Sequence, residues 1–136
     1  MKIQFLIILN LALVLNTGFV EDPGLTSVNP SHRQDDVIRK NVAEKILKNL
    51  VQEKFEDVRA DFHSTLKQSL PAERISEAWV KQLETYGEYK STVSMTSAKF
   101  QEYNQVKIRC KFENDNSTIE VTFNEDNKVI GLYLKA

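Results

Sequence analysis

Few residues of this chain are able to do acid, base or nucleophilic chemistry, and they are scattered. His32 and His63 are the only histidines and Cys110 is the only cysteine. Zinc sites draw on His and Cys at short, repeated spacings. Two distant histidines and one cysteine give no such set, so no metal and no cofactor is expected. His32 falls among small polar residues with no fixed neighbours. His63 follows Phe62, off the apolar stripe of a predicted helix, and is expected to face water. Cys110 alternates with Ile108 and Phe112, which puts it on the core face of a strand. Apolar surroundings raise a thiol's pKa and make it inert. Proton abstraction needs a carboxylate or imidazole within hydrogen-bond reach of substrate. Glu102 and Asp61 could supply one, but both read more simply as solvated. No Gly-x-Ser-x-Gly elbow occurs. No catalytic residue is assigned, and the chain is expected not to be an enzyme.

The aromatic residues with polar handles are Trp79, Tyr86, Tyr89 and Tyr103. Trp79 at helical spacing reads first as core. Aromatics with a reachable N–H or O–H also line small-molecule pockets. If a cavity lies between helices and sheet, Trp79, Tyr86 and Tyr103 are the residues expected at its mouth.

Helices must position the first of these. Asp35 and Asp36 suit the positive end of a helix. Ile38, Val42, Ile46, Leu47 and Leu50 then recur at steps of three and four. After a break near Lys54, Phe55, Val58, Phe62, Leu66 and Leu70 make a second stripe, ended by Pro71. A third helix carries Ile75, Ala78, Trp79, Leu83 and Tyr86, with Gly87 at its C-terminal cap. The period then changes to two. Tyr89 to Phe100 is a less regular strand, with Val93 and Phe100 among its apolar positions. Val106 to Phe112, Ile119 to Phe123 and Ile130 to Leu134 alternate apolar and polar as half-buried strands. A two-residue turn at Asp115-Asn116 predicts the pairs Phe112–Ile119, Cys110–Val121, Ile108–Phe123 and Lys111–Glu120. A turn at Asp126-Asn127 predicts Phe123–Ile130, Val121–Leu132 and Ile119–Leu134. Both turns use residues that tolerate positive φ. The reading is an α+β domain with three N-terminal helices on an antiparallel sheet of about four strands. The outer sheet face carries Lys107, Arg109, Lys111, Glu120, Thr122 and Tyr133. The simplest reading of that face is a solvated surface with cross-strand charge pairs.

Several blocks together resemble a bacterial domain-of-unknown-function family. They are Leu70-Pro71-Ala72-Glu73, Trp79, Tyr86-Gly87-Glu88-Tyr89, Lys111-Phe112-Glu113, Val121-Thr122-Phe123 and Lys128 to Leu134. The resemblance covers roughly residues 36 to 136. It implies a cystatin-like fold similar to the nuclear-transport-factor-two superfamily, with helices wrapped by a curved, cone-like sheet. It also implies an association with exported α/β serine hydrolases, in front of which the family is commonly found. Isomerases of that superfamily place an acid or base inside the cone. Here the expected inward positions are Ile108, Cys110, Phe112, Ile119, Val121, Phe123, Ile130, Leu132 and Leu134, and none titrates usefully. Because related folds pair sheets as dimers, Lys107, Arg109, Lys111, Glu120 and Tyr133 are also read as a docking surface, for a partner protein or a second copy. A cystatin-type inhibitor is the weaker reading, since Gln105-Val106-Lys107-Ile108-Arg109 departs from the Gln-x-Val-x-Gly loop.

The 136 residues suit one domain, with 41% apolar and 27% charged residues. Lys and Arg number 18 against 19 Asp and Glu, a net charge of −1. Nucleic-acid binding needs a basic excess, so no nucleic-acid partner is expected. Lys2 followed by the apolar run Ile3 to Leu15 reads as a signal peptide over residues 1–18. The run falls short of the roughly 20 residues of a spanning helix. Residues 19–34 read as a flexible linker with Pro23, Gly24 and Pro30, and residues 35–136 as the domain. The mature protein is then secreted or periplasmic, with an uncleaved leader as the alternative tether. One cysteine permits no internal disulfide, so the core must hold the fold. Asn116-Ser117-Thr118 matches a glycosylation sequon but reads more simply as a turn. The expectation is an exported binding module for a small apolar or peptide-like ligand or a partner protein. The alternative is a small hydrolase or isomerase with an unrecognised site in the cone.

Overall fold

A computed structural model describes residues 30–135. The expected signal peptide, residues 19–29 of the linker and Ala136 lie outside them. Helix α1 (Pro30–Val51) is followed by α2 (Phe55–Val58), a 3₁₀ turn (Arg59–Asp61), α3 (Ser64–Ser69) and α4 (Ala72–Tyr86). Strands β1 (Tyr89–Phe100), β2 (Tyr103–Phe112), β3 (Asn116–Phe123) and β4 (Val129–Lys135) follow. They form one open antiparallel sheet in the order β1-β2-β3-β4. Among the described residues, no helix is long and apolar enough to cross a membrane.

The helical half departs from expectation in three ways. Helix α1 begins at Pro30, so residues 30–34 belong to the helix and not to the linker. A first-turn proline loses nothing there, because that N–H has no partner within a helix. The buried stripe of α1 is Arg39, Ala43, Ile46, Leu47 and Leu50, while Ile38 is 41% exposed. The second helix is interrupted. Phe62 leaves the helix to make a parallel bridge with Val129, and the His63 amide donates to the Val129 carbonyl at 2.8 Å. Phe62 thereby enters the core, and the chain restarts as α3. His63 is the N-terminal cap of α3, its Nδ1 accepting from the Thr65 amide at 3.2 Å. It is half-buried, not a plain surface residue.

Helix α4 starts just after Pro71, whose carbonyl accepts from the amides of Arg74 and Ile75. It buries Ile75, Trp79 and Gln82, with Leu83 and Tyr86 half-buried against the core, while Ala78 faces solvent. Gly87 closes it with φ +86 and ψ −168, a backbone region that side chains rarely adopt.

The β2–β3 register differs from the predicted one by four residues. Val106 pairs with Val121, Ile108 with Ile119, Cys110 with Ser117, Lys107 with Glu120 and Lys111 with Asn116. The loop is Glu113-Asn114, with the Phe112 amide donating to the Asp115 carbonyl. Its two amides donate to the carbonyls of Glu88 and Tyr86 at 2.8 Å each, so the α4–β1 junction fixes the turn. A slip of four keeps every side chain on its face, because strand side chains alternate with period two. The predicted β3–β4 pairs hold for Ile119–Leu134 and Val121–Leu132, but Phe123 meets Val129 in place of Ile130. Asn127 at φ 60 adds a residue to that turn and shifts the register there. Val129 becomes fully buried as a result.

The core lies between the helices and one sheet face. It joins Ala43, Ile46, Leu50, Val58, Phe62, Ile75 and Trp79 to Val106, Ile108, Cys110, Phe112, Ile119, Val121, Phe123 and Val129. Val93 and Phe100 of β1 face outward, at 54% and 51% exposure. Register shifts between Tyr89 and Ser91 and between Thr92 and Ser94 turn Val93 away from the core.

Candidate functional site

The inward side chains of β2 and β3 are enclosed between sheet and helices. Val106, Ile108, Cys110, Ile119, Val121 and Phe123 have no exposed surface, and Phe112 has almost none. Burial pushes the Cys110 thiol up to about 11, so at neutral pH it is a protonated apolar packing group. Asp61 is held by Lys45 at 2.7 Å. Glu102 is an exposed residue of the β1–β2 turn. Asp61 Oδ2 is buried at the edge of the fold with the Lys45 ammonium as its partner, and Glu102 stays in solvent. Among the described residues, no group of three His, Cys, Asp or Glu side chains is placed to hold a metal.

Two of the three expected pocket residues come together. Trp79 is 1% exposed, its ring 5.9 Å from that of Phe112, and Tyr86 approaches the same ring at 6.0 Å. Tyr89 closes the cluster edge-on at 5.9 Å. These are packing distances for aromatic rings. Tyr103 stands at the opposite end of β2, nine residues from Phe112 and so about 30 Å away along an extended strand. It lines a separate polar depression with Glu102, Asn124, Glu125 and Asp126. The three residues therefore do not share one mouth. An open groove of about 660 Å³ runs between α1 and the start of β1, bordered by Asn41, Glu44, Lys48, Gln52, Tyr89 and Thr92. Sequence reasoning did not single it out, because its two walls are far apart in the chain.

The outer sheet face gathers the charged candidates. Alternation along β2 points Lys107, Arg109 and Lys111 outward, and all three are exposed. Glu120 on β3 takes Lys107 at 3.8 Å and Lys135 of β4 at 3.3 Å, and is itself only 8% exposed. Lys111 was expected opposite Glu120, but the four-residue shift gives that position to Lys107. Arg109 lies between Ser94 and Thr118, and Lys111 between Ser91 and Asn116. Among the described residues, neither of these two cations has an ion-pair partner. Tyr133 faces Glu120 from β4 and its ring leans over Gly131. Lys135 is the member of this face that the candidate set lacked, although it alternates with Tyr133 along β4.

A third feature was not foreseen. Gln82 of α4 is buried and donates to Ser117 Oγ, which in turn donates to the Lys135 carbonyl. This chain closes the far end of the sheet against α4. It also buries the middle residue of the Asn116-Ser117-Thr118 sequon, leaving Asn116 exposed. The Gln82 amide and the Ser117 hydroxyl thus each have a partner, so this buried hydrogen-bond relay is structural.

No curated protein and no solved structure matches the chain. A family model described as a protein of unknown function matches residues 43–132. That span runs from the middle of α1 into β4 and includes the aromatic cluster and the outer sheet face up to Tyr133 and Lys135, which lie just beyond it. The chain belongs to this family, DUF3887.

Proposed function

We propose that this chain is an exported, non-enzymatic interaction module that docks a partner protein on the outer face of its sheet. One observation carries the reading. The inward positions of β2 from Val106 to Phe112 and of β3 from Ile119 to Phe123 are apolar and enclosed, whereas the unpaired cations Arg109 and Lys111 stand on the opposite, solvated face. An acid–base site needs a titratable group within reach of substrate, and the enclosed side of the sheet offers only the inert thiol of Cys110. Export is supported by the positive residue and short apolar run at the N-terminus. The resemblance to a cystatin-like family found beside exported serine hydrolases makes such a hydrolase the first partner to test.

The test places a photo-crosslinking residue at Thr118 on the face and, as control, at Val80 on the exposed side of α4. The protein is expressed in its own host, and adducts are identified by mass. Adducts to a serine hydrolase from Thr118 but not Val80, lost in Arg109→Gln/Lys111→Gln, are the expected result. An adduct to a second copy of the chain would make the docking a homodimer. A small molecule retained in native mass spectra, and lost in Trp79→Phe, would overturn the docking reading. Turnover of an ester or ketone substrate by the purified protein would overturn the non-enzymatic one.

A further inference from the structure

The charges of the outer sheet face are not mixed as those of a solvated face usually are. Lys107, Arg109, Lys111 and Lys135 stand with one carboxylate, Glu120. Four cations against one anion give +3, so the remainder of this chain of net charge −1 carries −4. Glu120 is engaged by Lys107 and Lys135. That leaves Arg109 and Lys111 facing water without an ion pair, their direct cross-strand neighbours being the hydroxyl and amide side chains of Ser91 and Ser94 on β1 and Asn116 and Thr118 on β3.

The arrangement of the two free cations has a period. They are two residues apart on one strand, hence about 6.6 Å apart along β2. An extended peptide laid over the face repeats its own side chains at the same interval, because its backbone has the same rise. Carboxylates at alternate residues of such a peptide would meet Arg109 and Lys111 in step. Arg109 offers a planar fork that takes a carboxylate through two parallel hydrogen bonds. A membrane surface would use only the number of cations, not their spacing. Two unpaired cations are too few for stable membrane attachment.

We propose that Arg109 and Lys111 form a docking row for an extended acidic segment of the partner protein, with Asp or Glu at alternate residues lying along β2. This rests on the docking reading above and specifies its chemistry.

The test is an NMR titration of the isotope-labelled protein, purified from its own host, with two peptides of equal composition. One alternates Glu and Thr over eight residues; the other has four Glu followed by four Thr. The alternating peptide is expected to shift the amides of Ser94, Arg109, Lys111 and Thr118 and to bind about fivefold more tightly than the block peptide. Exposed ion pairs are each weak. Arg109→Gln/Lys111→Gln should therefore weaken binding about tenfold, and raised salt should do the same, whereas Lys81→Gln on α4 should not. Equal binding of the two peptides, or binding untouched by the double variant, overturns the proposal. So does attachment to anionic phosphatidylglycerol vesicles in preference to the alternating peptide. If the peptides fail while the crosslinked complex is still lost in the double variant, the acidic-segment proposal falls and the docking face stands. If that complex survives the double variant, both fall.

Discussion

Arg39 in α1 donates a hydrogen bond to Asn127 Oδ1 at 2.9 Å, tying the first helix to the last hairpin across 88 positions of sequence. The Asn127 amide group also donates to Asp35 Oδ1 at 3.2 Å. Asn127 holds φ 60, and Arg39 is only 8% exposed. The turn residue therefore both permits the hairpin and satisfies a buried cation.

These roles separate in a double-mutant cycle. Asn127→Gly keeps the left-handed backbone and removes the two hydrogen bonds. It should lower unfolding stability by about 1.5–3 kcal/mol, the range for bonds to charged groups. Combined with Arg39→Ala, the losses should fall short of additive by at least about 0.5 kcal/mol, as for residues in direct contact. Additive losses in urea denaturation would show that the contact does not stabilise the fold.

Asp36 gives an acid-side prediction. The Ser97 hydroxyl donates to its carboxylate, and Lys40 and Arg39 lie near. The hydrogen bond from Ser97 is the largest cause holding Asp36 below the usual carboxylate range, with the two cations adding to it. An acid depressed in the folded state keeps its charge while the unfolded chain takes up a proton. Its stabilisation is therefore complete above pH ~4 and is lost as pH falls through the folded pKa. Ser97→Ala should move the Asp36 titration back toward its ordinary value by NMR. It should also narrow the stability difference between pH 5 and pH 3. An unchanged Asp36 titration would assign the depression to the cations alone.

These long contacts also explain how much was legible beforehand. Strand β1 matched its predicted limits, Tyr89 to Phe100, because Gly87 and the change of period mark its start. The inward faces of β2 and β3 were legible because alternation alone sets them. Their register was not. Asp115-Asn116 has better turn chemistry than Glu113-Asn114, and only the long-range bonds to Tyr86 and Glu88 reverse the choice. The same limit applies to Arg39, whose burial depends on a residue of the opposite end of the chain. It applies again to the second helix, which Phe62 breaks to reach Val129. At the candidate site, the outward cations of β2 were legible from alternation. Which of them stay unpaired depends on the four-residue shift that brings Lys107 to Glu120.

Gly87 joins α4 to the turn that sets this register. A Cβ built there would lie 2.6 Å from Glu113 Cβ and 2.8 Å from Glu113 Oε1. The φ of +86 adds strain for any L side chain. Gly87→Ala should destabilise by about 2–4 kcal/mol, combining backbone strain with a forced shift of the Glu113-Asn114 loop. The emission of Trp79, the only tryptophan, is a convenient probe of unfolding from inside the core. A loss under about 1 kcal/mol would mean that the loop moves aside freely.

Cys110 tests the closed interior most directly. Its thiol has no exposed surface, and burial alone raises it from the usual value to about 11. At pH 8 only about one molecule in a thousand would carry the reactive thiolate. Alkylation of the native protein should therefore run at least about a hundredfold slower than alkylation of the urea-unfolded chain. The linkage has a fixed sign. The unfolded thiol loses its proton near pH 9 while the folded one keeps it until about 11, so the unfolded state binds fewer protons between them. Stability should fall as pH rises across that window and level off above it. Cys110→Val, close in volume and without a titrating group, should remove that part of the alkaline loss. Native alkylation as fast as unfolded would instead mean that the sheet opens to solvent, and that its inner face is available to a ligand.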